Sequence, residues 1–429
     1  MLKPQLQKIR QSEFWRNVAT LTSGSLVAQV FGVASILILP RLYNDVEFGL
    51  FGFFVASIAI TVVLINGGYE HAIMLPKEDE KAFHLVLLSF WIALGGSILL
   101  ALIAVFGGKW ILDTGDAIDL YGWHLLIPLG LLLEGLTQPI RTWLNRQKEY
   151  KGLSWSKIAR SAVLVLVSAW LGWLEWSFEG LILGYIAGQL AGLIVMFGYF
   201  LQSHQFTLNF DIKTLQTEGK GYRDFPRFAI LSAWLNTASK HLPFYLLIPL
   251  FDAGVAGQFN QADRVLMLPV VLVAMSIGNV FYESAAKAKQ ESEEALAKTT
   301  YKTFLRLLIL GLPFLVIIML WGPELFGLVL GEEWTTAGAY ARWLMPWLFV
   351  VFMASPLSYL IDVQRKLKEF LFFNIALFVV RFLALYLGGL YFSALETMMI
   401  YGLSGMVMVG LQLVYLLHIG GVFKKNFSS

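Results

Sequence analysis

This sequence predicts an all-α integral membrane protein with twelve transmembrane helices in two pseudo-symmetric six-helix halves. Three observations support that. Of 429 residues, 57% are hydrophobic and only 14% are charged, with a mean hydropathy of +0.67. Apolar stretches follow one another along the whole chain, and Lys and Arg gather in every second turnaround. The second half also repeats prolines and a basic loop of the first.

A soluble domain averages roughly a quarter charged residues. A chain this apolar lacks the polar surface to cover a core in water, so its solvent is a bilayer. Trp110, Trp123, Trp143, Trp155, Trp176, Trp321 and Trp334 sit at the ends of apolar runs, as interfacial aromatic belts do. The absence of cysteine removes disulfides, thiolate metal sites and Cys nucleophiles. The net charge of +3 does not suggest a nucleic-acid partner, and neither a cofactor nor a metal site is expected. The first apolar run begins near Val18 after a basic start. It is long enough to stay as a spanning helix, so no cleavable signal peptide is expected.

A spanning helix needs about 20 mostly apolar residues. The candidates are 18–40, 49–74, 83–106, 121–144, 157–174, 180–201, 228–251, 258–283, 303–321, 339–361, 370–390 and 395–418. The turnarounds after the odd-numbered spans are nearly free of basic residues, holding Arg41 and Lys109, with Arg342 just inside span ten. The opposite set is basic. Lys3, Lys8, Arg10 and Arg16 precede span one, and Arg146, Lys148, Lys151 and Lys157 follow span four. Lys213, Lys220, Arg223 and Arg227 follow span six, and Lys287, Lys289, Lys298 and Lys302 follow span eight. Arg365, Lys366 and Lys368 follow span ten, and Lys424 and Lys425 end the chain. By the positive-inside rule both termini are cytoplasmic. The expected organisation is a lobe at 1–201, a cytoplasmic linker at 202–227 and a second lobe at 228–429. No loop is long enough for an extramembrane domain.

The repeat rests on ordered features. Pro128 in span four and Pro346 in span ten lie 218 positions apart. A second proline follows each, Pro139 and Pro356, and then a basic loop, Asn145-Arg146-Gln147-Lys148 and Val363-Gln364-Arg365-Lys366. Span one leads into Phe48-Gly49-Leu50-Phe51, and span seven into Gly257-Gln258-Phe259. Six spans per half leave both halves in one orientation. That is a parallel repeat about an axis along the membrane normal, which transporters use.

Several stretches resemble a known family: Leu39-Pro40-Arg41-Leu42-Tyr43 with Glu47-Phe48-Gly49; Tyr69-Glu70-His71-Ala72-Ile73-Met74-Leu75-Pro76; and Asp224-Phe225-Pro226. So do Gly257-Gln258-Phe259 through Asp263-Arg264-Val265-Leu266-Met267-Leu268-Pro269, and Gly331-Glu332-Glu333-Trp334 leading to Ser355-Pro356-Leu357-Ser358. In order and spacing, over essentially the whole chain, they resemble the polysaccharide exporters of the O-antigen flippase type, in the multidrug/oligosaccharidyl-lipid/polysaccharide (MOP) superfamily. The resemblance implies two six-helix lobes around a central cavity lined mainly by spans one, two, seven and eight. It implies translocation of an undecaprenyl-diphosphate-linked oligosaccharide from the cytoplasmic to the periplasmic leaflet of the bacterial inner membrane by alternating access. It also implies a glycan polymerase and chain-length proteins as partners.

A charge at the centre of a spanning helix costs several kcal/mol, roughly 2.5–3.5 on insertion scales, so each such residue is a functional candidate. Arg41 and Arg264 fall on family motifs, and Lys240 lies mid-span seven; together they are candidates for the diphosphate, since Arg presents a planar fork of donors that fits phosphate. The alternative for Arg41 is an interfacial snorkelling role. Asp263 neighbours Arg264, so the two cannot face one way and Asp263 should meet another partner. Glu70, His241, Asp263, Glu134 and Arg381 are candidates for ion coupling or further substrate contact, each with structural pairing as the alternative. Arg141, Arg160, Arg306 and Asp362 read as topology signals, and Glu332, Glu333 and Trp334 as a helix cap in a turn. Gly67-Gly68, Pro243, Pro249 and Pro269 read as kinks. Trp15, Tyr43, Tyr69, Trp234 and Tyr245 are aromatic faces that a sugar could use.

Two other functions compete. A multidrug or cation antiporter of the same superfamily would want acidic residues in its cavity, and the candidates here are mainly basic. A membrane enzyme would need an extramembrane segment to hold catalytic carboxylates. There is no Gly-x-x-x-x-Gly-Lys-[Ser/Thr] loop for ATP.

Overall fold

The computed structural model describes residues 13–65, 67–112, 115–203, 230–270, 275–364 and 366–424. The expected linker at 202–227, with its basic residues and the Asp224-Phe225-Pro226 motif, lies almost wholly outside the described residues, as do Lys3, Lys8, Arg10, Arg365 and Lys425. Every regular element among the described residues is helical. In hydrocarbon a backbone has no water to bond to, and a helix satisfies its polar groups within itself.

The helices are α1 Glu13–Ile38, α2 Asp45–Ile65, a short α3 Tyr69–Ala72, α4 Asp79–Leu112, α5 Leu126–Arg146, α6 Tyr150–Trp173 and α7 Phe178–Gln202. They continue with α8 Ile230–Leu250, α9 Ala253–Pro269, α10 Met275–Glu291, α11 Glu293–Leu330, α12 Thr335–Leu357, a short α13 Leu360–Gln364, α14 Leu367–Tyr391 and α15 Ala394–Ile419. A helix stands at each expected span. Eight helical stretches are long and apolar enough to cross a membrane by length and composition alone. The expected spans missing from that set are α5, α6, α8 and α9. Of these, α5, α6 and α8 carry Glu134, Arg160 and Lys240, which lower their apolarity, whereas α9, which carries Asp263, is only 17 residues long as described.

Two elements, the second and ninth spans, differ from the sequence reading. The second span ends at Ile65: Gly67 and Gly68 are left-handed, at φ +64° and +70°, and they stop the helix where a kink was expected. Glycine reaches that region without a Cβ clash. The eighth span is described in two parts, α9 and α10, with residues 271–274 between them outside the described residues. The ninth is far longer than 303–321, because Ser292 caps it with its Oγ accepting from Ala295 N at 3.0 Å and polar turns then extend the helix. Trp321 inside it is non-helical (φ −122°, ψ 19°), just before Pro323, whose ring obstructs the preceding turn.

The chain divides into two compact units, one of Met1–Tyr43 with Leu50–Thr237, the other of Asn44–Gly49 with Ala238–Ser429. In the first, α6 packs along α7 and α1, and α5 against α4 and α7. Tyr43 is locked inside, 2% exposed, its hydroxyl donating to the Ser168 carbonyl at 2.7 Å. Gly172 and Gly180 leave room for its ring. Tyr43 therefore anchors the chain and offers no free face to a sugar. Trp143 is fully buried and meets Phe83 edge-to-face at 5.5 Å.

In the second unit, α12 packs against α11, α15 and α9. The first turn of α9 lies against Asn44–Gly49. A Cβ on Gly49 would sit 1.8 Å from the Ala253 carbonyl oxygen, and one on Gly257 would sit 1.7 Å from that of Asp45. The two glycines paired in the sequence repeat thus serve one reciprocal backbone contact. Gln258 secures it: its Nε2 donates to Asp45 Oδ2 and to the Glu333 carbonyl, both at 2.9 Å, and its Oε1 accepts from Ala337 N at 2.8 Å. Asn260 Nδ2 donates to the Phe48 carbonyl at 3.0 Å. Trp334, expected as part of a cap, is fully buried with its ring edge-to-face to Phe48 at 5.5 Å.

Candidate functional site

The second unit gathers five of the candidate residues on three helices. Lys240 and His241 lie on α8, Asp263 and Arg264 on α9, and Arg381 on α14. Helical geometry turns neighbouring side chains about 100° apart, and Asp263 and Arg264 diverge accordingly. Asp263 is within Coulombic reach of both Arg381 and Lys240. Arg264 Nη1 donates to Gln261 Oε1 at 3.4 Å, and its guanidinium lies 5.6 Å from the centre of the Phe48 ring.

Arg381 is buried, 7% exposed. Its Nη1 donates to Ser239 Oγ at 2.8 Å, and its guanidinium stands 4.6 Å from the Trp347 ring centre. Its Nε has no hydrogen-bond partner among the described residues. Behind it runs an aromatic series. Trp347 meets Tyr401 at 5.4 Å, Tyr401 meets Phe259 at 6.2 Å, and Phe259 meets Phe244 at 6.0 Å. Cation–π contact in a desolvated place is worth about 2 kcal/mol, and a guanidinium has five donors to satisfy. The sequence reading did not single out Ser239, Trp347 or Tyr401. Trp347 follows the repeated Pro346, but nothing in one sequence says that this ring covers an arginine from α14.

The other candidates belong to the first unit. Arg41 closes the 3₁₀ turn Leu39–Arg41 and is exposed. Glu70, on α3, is 7% exposed, with Oε1 3.7 Å from His71 Nε2 and Oε2 without a hydrogen-bond partner among the described residues. Glu134 on α5 is bracketed by Arg160 at 3.1 Å and Arg141 at 3.6 Å. Arg141 and Arg160, expected only to mark topology, are its ion-pair partners.

In the second unit, Lys240 and Arg381 bring positive charge to one carboxylate, Asp263, and Arg264 on the same helix as Asp263 adds a third cation, with His241 next to Lys240 in the chain. Such a group attracts anions, and its arginines can bond phosphate oxygens in pairs.

Comparison with known proteins agrees with this architecture. The lipopolysaccharide biosynthesis protein WzxC of Escherichia coli K12 is 25% identical over 329 residues, covering 75% of this chain and 63% of that protein. The chain thus spans less than two thirds of the length of that relative. Among solved structures, an inward-facing multidrug resistance transporter of the MATE family, in the MOP superfamily, matches with a TM-score of 0.73 at 13% identity, over 93% of this chain and 96% of its own. Lipid II flippase MurJ, in an inward closed conformation, matches with a TM-score of 0.65 at 13% identity, over 92% of this chain and 86% of its own. At these identities the structures establish the fold alone, an all-helical one, and its long apolar helices are those of a multi-pass membrane protein. Residues 38–339 match the family described as polysaccharide biosynthesis protein, and the chain belongs to that family.

Proposed function

We propose that this protein is a flippase for an undecaprenyl-diphosphate-linked oligosaccharide, an O-antigen or exopolysaccharide repeat unit, moving it from the cytoplasmic to the periplasmic leaflet by alternating access. The observation that carries this reading is the excess of cations within the second unit, Lys240, Arg264 and Arg381 against Asp263. Diphosphate charge is costly in hydrocarbon, and fixed guanidinium groups offset it. The same excess argues against the antiporter alternative, which needs acidic residues for a cationic drug. Lys240, Arg264 and, from the first unit, Arg41 are assigned to the substrate. Glu70, His241, Asp263, Glu134 and Arg381 are assigned to ion coupling or further substrate contact.

In this reading the protein is a carrier and not an enzyme. It sits in the inner membrane with both termini cytoplasmic, as lobes 1–201 and 228–429 joined by 202–227, and delivers its product to a glycan polymerase and chain-length proteins. Family membership and the names of WzxC and MurJ support it.

The test is surface glycan in a deletion strain complemented with variants at matched membrane levels. Arg41→Ala and Arg264→Ala should each reduce export. Lys at either position should do less harm, keeping charge and losing only the paired geometry, and Glu should be worse than Ala. Charge-reversed variants that export as well as the parent would refute the cationic mechanism.

A further inference from the structure

The first unit contains a second group of cations, Arg141, Lys157 and Arg160, that the proposed function leaves without a role. A cavity of about 500 Å³ lies among α5, α6 and α7, within the usual range of ligand pockets. Arg141, Lys157 and Arg160 line it. Lys157 and Arg160, three residues apart, share one face of α6.

These three charges meet little compensation. Glu134 holds Arg160 at 3.1 Å and reaches Arg141 only at 3.6 Å. Lys157 Nζ donates to Ser25 Oγ at 3.1 Å, a neutral partner that leaves its charge unbalanced. Among the described residues, no carboxylate lines the cavity, and Glu134 reaches it only through its two arginine partners. Arg141 is 46% exposed at its side chain and, loosely held, has donors to give.

The rest of the lining has two characters. Ser156, Asn145 and Gln189 are polar. Gln189 spends Nε2 on the Tyr185 hydroxyl at 2.9 Å, and its buried Oε1 has no partner among the described residues. Leu153, Leu193 and Met196 are apolar. Cations, a hydroxyl acceptor and an apolar wall together match one kind of molecule: an anionic phosphate carried on an amphiphile.

We propose that the α5–α6–α7 cavity binds a phosphate anion through Arg141, Lys157 and Arg160, with Glu134 as the internal counter-charge the ligand competes against. This does not rest on the flippase reading. A lipid headgroup and free inorganic phosphate offer the same chemistry, and the apolar wall favours the lipid.

The experiment is thermal melting of the purified full chain in detergent, titrated separately with short-chain phosphatidylglycerol, short-chain phosphatidylcholine and inorganic phosphate. The parent should be stabilised by phosphatidylglycerol at lower concentration than by phosphatidylcholine. Arg141→Gln with Lys157→Gln should weaken that response about tenfold or more, as two charge-assisted bonds are lost. Glu134→Gln should move the response the other way, to tighter binding, even though its baseline melting falls; a merely structural role would not produce that reversal. Stabilisation by inorganic phosphate equal to that by phosphatidylglycerol also supports a phosphate site and assigns the free ion as its source. Equal responses to the two lipids with none to phosphate, or an unchanged response in both sets of variants, overturns the proposal.

Discussion

Gly257→Ala tests the tightest backbone contact in the second unit. The new Cβ would stand 1.7 Å from the Asp45 carbonyl oxygen and 2.6 Å from its carbon, whereas real Cβ contacts essentially never fall below 3.0 Å. From 1.7 Å to 3.0 Å, the backbones must part by about 1.3 Å, and both obstructing atoms are main chain, so no rotamer can absorb the change. That movement stretches the Gln258–Asp45 bond from 2.9 Å and the Asn260–Phe48 bond from 3.0 Å, beyond useful length. Each lost bond costs about 0.5–1.5 kcal/mol and overpacking about 1–3, a destabilisation of about 2–6 kcal/mol. The assay is thermal melting of the purified protein, with Gly410→Ala as control. Gly410 lies inside α15 with nothing within 4 Å of its added Cβ, so alanine there should be neutral or raise stability by up to about 1 kcal/mol. If Gly257→Ala melts with the parent and with Gly410→Ala, the glycine contact does not hold this region together.

Other outcomes follow from single contacts. Tyr43→Phe removes the hydroxyl bond to the Ser168 carbonyl while keeping the ring, and should cost about 1 kcal/mol in thermal or denaturant unfolding. Trp334→Ala empties a fully buried place against Phe48, and about 3–5 kcal/mol should be lost by the same measurement. Arg381→Lys keeps the charge but shortens the reach to Ser239 and loses the planar stack on Trp347; export should fall at unchanged membrane level, and Ser239→Ala should reproduce part of the loss. Reporter fusions that act only outside the cytoplasm should be silent after Lys148 or Lys425 and active after Asp116 or Glu333; activity after Lys425 would overturn the orientation.

Composition and hydropathy suffice to place the chain in a bilayer, to make its segments helical and to say nearly where each one runs. Those properties depend on local composition: an apolar stretch in hydrocarbon has no way other than a helix to satisfy its backbone. The sequence also singled out the costly charges, since a charge inside an apolar run is visible without a fold. Their partners were not visible. Arg381 finds Ser239 across 142 positions, and Arg141 and Arg160 read as topology marks until α5, α6 and α7 packed them around Glu134. The repeat paired Gly49 with Gly257 on paper, but only packing showed each glycine making room for the carbonyl opposite. Tyr43 looked available to a sugar and is sealed by two glycines from neighbouring helices. In each case the deciding quantity is a distance of a few ångströms between residues far apart in the chain. Hydropathy and spacing describe what one segment wants, and which faces meet depends on how all the segments pack at once.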